Sequence, residues 1–214
     1  LISSDGHSLF VLDDVAVMTR NQMGYQGGDD DVDTIDPLGA VWNSNRLTSY
    51  DLETGRAQWS VGGPAETAGP LAGCFFLGAP SIDGNELFIV GSLGEEVRLF
   101  VLDPATGRPR WSQLLAYSDT KIESDIARRW VSTPIAVGQG IVVCPTTVGW
   151  LVAVDRVRRT VLWAHRYLPE EEGEHRGFGD NPGTEFLPQT ELGGQWLATP
   201  PVIADGLVVF AAPD

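Results

Sequence analysis

The sequence predicts an all-β protein built from a four-stranded antiparallel unit that repeats along the chain. A motif of aspartate, glycine and tryptophan returns every 52 residues, and short apolar runs joined by tight-turn residues precede each copy. No segment keeps a helical period over about eleven residues. The 214 residues are 43% hydrophobic and 20% charged, which is ordinary for a globular protein.

The repeated motif is defined by three tryptophans that are 52 residues apart. Its copies read LTSYDLETGRAQW (47–59), LFVLDPATGRPRW (99–111) and LVAVDRVRRTVLW (151–163). Each copy predicts a strand, a tight turn whose amides bond to the aspartate, and a returning strand that carries the tryptophan. The third copy has Arg159 in place of glycine, so we expect its turn to be of a different type. The predicted structural residues are Asp51, Gly55, Trp59, Asp103, Gly107, Trp111, Asp155 and Trp163.

A second hairpin is predicted upstream of each motif. The segments that begin at Pro80, Pro134 and Pro201 join short apolar runs through Asp-Gly or Gly-x-Gly, which is typical of two strands and a tight turn. The run from Leu9 to Met18, turning at Asp13-Asp14, is interpreted as a weaker copy. Two hairpins per repeat give four strands, named A to D in chain order.

Four-stranded sheets that repeat every 40 to 50 residues or so are typical of a β-propeller. We therefore expect a partial propeller over residues 1–214, with blades at about 5–61, 78–115 and 131–168 and a half blade at 198–214. About three and a half blades do not close a ring, so we expect part of a larger one. Because the chain begins at Leu1 and its last blade stops halfway, we expect both ends to be cut from a longer polypeptide.

The pattern Ala/Val-x-Asp-x-x-Thr-Gly-x-x-x-Trp resembles the tryptophan-docking motif of the PQQ-like, or quinoprotein alcohol dehydrogenase-like, propellers. In that family the tryptophan holds one blade to the next, so the resemblance implies a structural role for the three repeated tryptophans. The family's enzymes share a disulfide between neighbouring cysteines over the quinone and acidic residues around calcium. Cys74 and Cys144 are not adjacent, and no cofactor residue maps onto this chain. The resemblance therefore favours non-catalytic members, no cofactor, and a periplasmic, cell-envelope or secreted location.

Antiparallel connectivity places the A–B and C–D turns on one side of the disc, called here the turn face, and the B–C and D–A connections on the other, called the loop face. All long insertions fall on the loop face, and together they carry −11 of the formal −15 charge. We predict that this acidic face binds a protein partner with a basic surface. The missing blades of its own chain are the other expected partner. Nucleic acid and a transmembrane segment are not expected. The insertions are 20–45, 62–78, 116–130 and 169–195.

The candidate binding residues lie at or near these insertions. They are Trp42, Trp130, Trp196, Glu171 and His175. The tryptophans are also suited to bracing the loops that carry them. The sequence therefore indicates a region for binding rather than a defined site.

A calcium loop is the one metal site that the sequence suggests. Asp29, Asp31 and Asp33 have the alternate spacing of an oxygen-ligand loop, but glycine at the sixth place and glutamate at the twelfth are absent. A solvated acidic loop is therefore the favoured interpretation.

Two other functions remain open from the sequence. One is an oxidoreductase that binds pyrroloquinoline quinone and calcium in the full ring, which the acidic loops would suit. The other is a carbohydrate- or polymer-binding propeller that uses the loop tryptophans as stacking platforms.

Overall fold

The computed structural model describes residues 1–13, 44–122, 125, 128–129, 131–167 and 200–211. These residues form fifteen β-strands in antiparallel sheets. The all-β class and the four-stranded blades predicted from the repeat are confirmed.

The first blade is a four-stranded meander in the order β1-β2-β3-β4. The predicted turn at Asp13-Asp14 is wrong, because the first hairpin turns earlier, at residues 5–8, and Asp13 ends the second strand. The Asp5 carboxylate accepts hydrogen bonds from the backbone amides of His7 (2.9 Å) and Ser8 (2.7 Å), and Gly6 takes a φ of 89°, so the chain reverses at this turn. The strands are β1 (Ile2–Ser4), β2 (Ser8–Asp13), β3 (Arg46–Asp51) and β4 (Ala57–Gly62).

The second blade has the same order but a divided innermost strand. Two short strands, β5 and β6, both pair with β7, through Phe75 opposite Ser92 and Ser81 opposite Phe88. The remaining two strands follow in sequence to the outer edge. The strands are β5 (Phe75–Phe76), β6 (Ser81–Asp83), β7 (Glu86–Leu93), β8 (Glu96–Leu102) and β9 (Pro109–Tyr117).

The third blade repeats the four-stranded meander, and a two-stranded hairpin follows it. In the third blade the returning strand has a register shift next to Ala153, as the first blade has next to Ser49. The strands are β10 (Ala136–Gly138), β11 (Ile141–Pro145), β12 (Trp150–Asp155), β13 (Thr160–Arg166), β14 (Val202–Ala204) and β15 (Leu207–Val209).

The core lies between blades rather than within one of them. Along β7, Leu87 and Ile89 point into a cluster shared with Phe10 and Leu47 of the first blade. The alternate residues Phe88 and Val90 point into a second cluster, shared with Val142, Val152 and Val154 of the third blade. Because side chains alternate across a strand, one sheet supplies both clusters, and each blade needs its neighbours to bury its faces.

Candidate binding face and the contacts between blades

The described part of the loop face consists of the connection before the second blade, part of the connection before the third blade, and the short B–C turns of these two blades. A cavity of about 280 Å³ opens here, and it is lined by apolar residues together with Asn45, Arg129 and Ser132. This volume lies just below the range of about 300 to 1,000 Å³ that is usual for small-molecule sites. Its lining is Leu1, Leu12, Asn45, Phe75, Phe76, Leu77, Arg129, Val131 and Ser132.

Asn45 joins the first two blades beside this cavity. Its side chain accepts a hydrogen bond from the Phe76 amide (2.7 Å) and donates one to the Phe76 carbonyl (2.9 Å). Asn45 is 1% exposed, so both polar ends of its amide are satisfied inside the protein. The residue therefore fixes the position of the loop face rather than offering a binding group.

Arg128 plays a similar part between the second and third blades. Its guanidinium is buried and donates to the Ser118 hydroxyl (2.6 Å), the Thr120 carbonyl (2.8 Å) and the Thr147 hydroxyl (3.1 Å). Burial lowers its pKa, because removal from water disfavours the charged form, while Asp125 opposes this shift. Arg128 thus fastens the connection before the third blade to the loop face.

On the turn face, the three predicted aspartates cap the C–D turns of their own blades. Asp51 accepts hydrogen bonds from the amide and hydroxyl of Thr54, both at 2.7 Å, and the hydroxyl is the main cause of its lowered pKa. The pKa of Asp103 is lowered chiefly by its hydrogen bond from Arg110 at 2.7 Å. For Asp155 the backbone amide of Arg158 is the main cause. These carboxylates are therefore structural groups.

The contact between the first and second blades, called here the first seam, rests on a tryptophan packed against a glycine. Trp59 donates from Nε1 to the Pro104 carbonyl at 2.9 Å, and its ring covers Gly107 so closely that a Cβ there would lie 2.5 Å from a ring atom. Gly107 also has a φ of 68°, the left-handed conformation that glycine adopts most readily. The first seam therefore requires glycine for two reasons.

The contact between the second and third blades is called the second seam. Here Arg159 stands at the position that Gly107 has in the preceding blade. The prediction that this turn is of a different type is wrong. Arg159 has a φ of 59°, in the left-handed region that the glycines occupy. Its amide donates to the Asp155 carbonyl at 2.8 Å, as the amides of Gly55 and Gly107 donate to the carbonyls of Asp51 and Asp103. Its guanidinium carbon lies 5.7 Å from the centroid of Trp111. A cation–π contact here takes the place of the close packing at the first seam.

Arg156 adds a set of ionic contacts to the second seam. Its Nε donates to Glu86 at 2.7 Å, and its terminal nitrogens bond to the Asp83 carboxylate and to the Asp83 carbonyl, the latter at 3.0 Å. The guanidinium also lies 5.1 Å from the Phe88 ring centroid. Glu86 in turn faces the indole nitrogen of Trp111 at 3.5 Å.

Trp163 is the exposed member of the three repeated tryptophans, with 38% of its surface accessible. It lies on β13, a strand whose residues are all exposed. No C–D turn follows it among the described residues to pack against its ring. Trp163 therefore provides an internal comparison for the two packed tryptophans.

The candidate residues of the long insertions lie outside the described residues. They are Trp42, Trp130, Trp196, Glu171 and His175, together with Asp29, Asp31 and Asp33 of the calcium hypothesis.

Three residues that hold the blades together were not predicted: Asn45, Arg128 and Arg156. The partners of Asn45 and Arg156 are far away in sequence, 31 residues for Asn45 and Phe76 and 73 for Arg156 and Asp83, so no local pattern indicates them. For Arg156 a signal did exist, because the repeat places Leu52 and Pro104 at the same position and an arginine there is a departure.

The described cysteines do not fit the quinone site that the family resemblance implies for its enzymes. Cys74 and Cys144 are free and fully buried in separate core clusters, and burial raises the pKa of both thiols. Within the described ranges, no group of three or more histidine, cysteine or acidic residues is placed to hold a metal ion. The same residues include no helix long and apolar enough to cross a bilayer.

This chain is similar to several solved structures at low sequence identity, and it spans about a third of the length of BamB, the first of them. BamB from Moraxella catarrhalis is 18% identical with a TM-score of 0.42, and the match covers 59% of this chain and 36% of that chain. The computationally designed Ika4 protein is 16% identical with a TM-score of 0.44, over 81% and 76% of the two chains. Quinohemoprotein alcohol dehydrogenase ADHIIG from Pseudomonas putida HK5 is 15% identical with a TM-score of 0.38, over 61% and 26%. No curated protein matches this sequence.

The repeated sheets and the tryptophan contacts between them define a run of blades from a β-propeller of the tryptophan-docking type. The family model described as outer membrane protein assembly factor BamB matches residues 32–212. This chain belongs to that family of PQQ-like propellers.

Proposed function

We propose that this chain is a non-catalytic binding or scaffolding module whose acidic loop face recruits a partner with a basic surface. The observation that carries the proposal is the unequal distribution of charge between the two faces. Contacts that hold blades together occur on both faces, at Trp59 and Arg156 on the turn face and at the buried Asn45 and Arg128 on the loop face. The insertions of the loop face, in contrast, carry most of the negative charge.

The charged and polar side chains of the described residues support this proposal. Asp51, Asp103 and Asp155 are engaged in their own turns, and Arg128 and Arg156 join blades. These charged side chains, which an enzyme could direct at a substrate, instead form hydrogen bonds with other residues of the same chain. Membership of a family described as an assembly factor also supports a binding role.

The excess of acid on one face would attract a basic partner over a distance of about 8 Å at physiological ionic strength. The two most acidic insertions, 20–45 and 169–195, carry −4 and −6. We further propose that the protein works in the cell envelope, which the family description supports, and that it needs no quinone or metal.

Titration of the full chain with poly-L-lysine, followed by calorimetry, tests the acidic face. Glu171→Gln combined with Glu172→Gln should weaken binding at low salt by about two- to fivefold, because two charges of the loop face are lost. The matched control, Glu53→Gln with Asp205→Asn, removes the same charge from the turn face and should have a smaller effect.

High salt should abolish the difference between the two variants. Equal effects of both variants at low salt would contradict a role for the loop face. Bound quinone and dye-linked alcohol oxidation after addition of pyrroloquinoline quinone and calcium would contradict the non-catalytic assignment.

A further inference from the structure

Two of the three charges of the second seam, Arg156 and Glu86, stand at positions that are uncharged in the other repeats. Arg156 follows the turn aspartate, where the other two copies have Leu52 and Pro104. Its acidic partners, Asp83 and Glu86, face each other across the A–B turn of the second blade. At the place of Glu86, the other A–B turns have the uncharged residues Ser8, Ile141 and Leu207. At the place of Asp83 they have Asp5, Gly138 and Ala204, so the first blade shares that aspartate.

The geometry of these contacts is directional. Three nitrogens of one guanidinium bond to three different acceptors on the A–B turn, and its face lies on Phe88. A planar guanidinium with fixed donor directions recognises such an arrangement more selectively than a point charge does. A neighbour without the two carboxylates would leave Arg156 with no ionic partner on that turn.

The same contacts are poorly placed to provide much stability. The side chains of Arg156, Asp83 and Glu86 are 23%, 50% and 21% exposed, and partly exposed ion pairs contribute little net free energy. Burial of the apolar cluster shared by the second and third blades supplies most of the free energy that stabilises their contact. A role in stability alone therefore does not account for three charges placed at one seam.

Repeated blades of similar shape create a risk of incorrect pairing, both within a chain and between chains. We propose that Arg156, Asp83 and Glu86 form a docking key that makes the second blade the preferred neighbour of the third. On the turn of the first blade, Arg156 would instead face Ser8 in place of Glu86, and Asp5, which already accepts hydrogen bonds from the His7 and Ser8 amides. The key thus sets blade order during folding, while the apolar core supplies the stability.

Refolding of the full chain from denaturant over a range of protein concentrations tests this key. Arg156→Glu and Glu86→Arg each place like charges at the seam, and each should lower the ratio of monomer to oligomer by up to about fivefold. The double variant restores opposite charges and should recover most of the monomer. Arg108→Glu makes the same charge change at an exposed position of the second blade's C–D turn and should refold like the unmodified protein.

Arg156→Leu separates pairing from stability, because leucine is the residue that the first repeat has at this position. We expect an almost unchanged melting temperature together with a loss of monomer that grows with protein concentration. Normal refolding of Arg156→Glu, or failure of the double variant to recover, would overturn the key. A loss that follows the melting temperature and is independent of concentration would also overturn it.

Discussion

The two seams perform the same task with different chemistry. At the first seam, Trp59 packs on Gly107 and bonds to a backbone carbonyl. At the second seam, Trp111 meets Arg159, and Arg156 bonds to the preceding blade. The comparison shows that the repeat preserves the backbone of the turn and the place of the tryptophan, whereas the side chains around them can change from close packing to charge.

The largest expected effect is at the tryptophan of the first seam. Trp59→Ala should lower the free energy of unfolding by about 3 to 5 kcal/mol, because a large ring between Phe10 and Gly107 is lost. Trp163→Ala is the matched control, and its cost should be well below that of Trp59→Ala, since its ring is 38% exposed. Denaturant titrations measure both, and equal losses would contradict docking at the first seam.

Two glycine substitutions separate the energetic effect of the Trp59 contact from that of the left-handed backbone conformation. Gly55 and Gly107 share a φ of 68°, but a Cβ at Gly55 meets nothing within 4 Å. Gly55→Ala should therefore cost about 1 kcal/mol, the penalty of the left-handed conformation. Gly107→Ala should cost about 1 to 3 kcal/mol more, because the added methyl group overlaps the Trp59 ring. Thermal or chemical unfolding that gave the same value for both variants would show that the ring is not against the turn.

At the second seam the corresponding substitution should be nearly neutral. Arg159→Gly relieves about 1 kcal/mol of left-handed strain and removes a cation–π contact worth about 0.5 to 1 kcal/mol. The net change in unfolding free energy should therefore stay within about 1 kcal/mol. A loss above about 2 kcal/mol would mean that Arg159 contributes far more than a partly exposed cation–π contact.

The smallest expected effect is on the free energy of unfolding at acid pH. The pKa of Asp103 is lower in the folded state than its ordinary value, so its contribution is present above about pH 4 and is lost as pH falls through the folded pKa. Arg110→Gln should raise the pKa of Asp103 and leave that of Asp51, which Thr54 holds, unchanged. Carboxyl titration by NMR measures both groups, and a shift of both would contradict the local origin of the effect.

The spacing of the tryptophans was enough to predict the repeat and the three C–D turns. The apolar runs joined by Asp-Gly or Gly-x-Gly predicted the second hairpin of the second and third blades, because each of these features depends on residues close in sequence. The first hairpin was misplaced because Asp13-Asp14 resembles a turn, whereas the hydrogen bonds from His7 and Ser8 to Asp5 determine where the chain reverses. The left-handed Arg159 could not be foreseen either, since its stacking on Trp111 is a tertiary contact.

The residues that join blades were less predictable than the turns. Asn45 bonds to a backbone segment 31 residues away, and nothing around it in the sequence indicates that partner. Arg156 and Glu86 lie 70 residues apart, and only a comparison of equivalent repeat positions reveals both as departures. Sequence periodicity therefore predicts the blades well, and the chemistry of their junctions poorly.

Hydrogen exchange of the indole N–H groups of the three repeated tryptophans tests the docking account most directly. Trp59 should be the most protected, because its indole N–H donates to the Pro104 carbonyl at 2.9 Å in a partly buried contact. Trp111 should be intermediate, given its 3.5 Å contact with Glu86, and the exposed Trp163 should exchange fastest. Exchange of Trp59 as fast as that of Trp163 would contradict the claim that tryptophan docking holds the blades together.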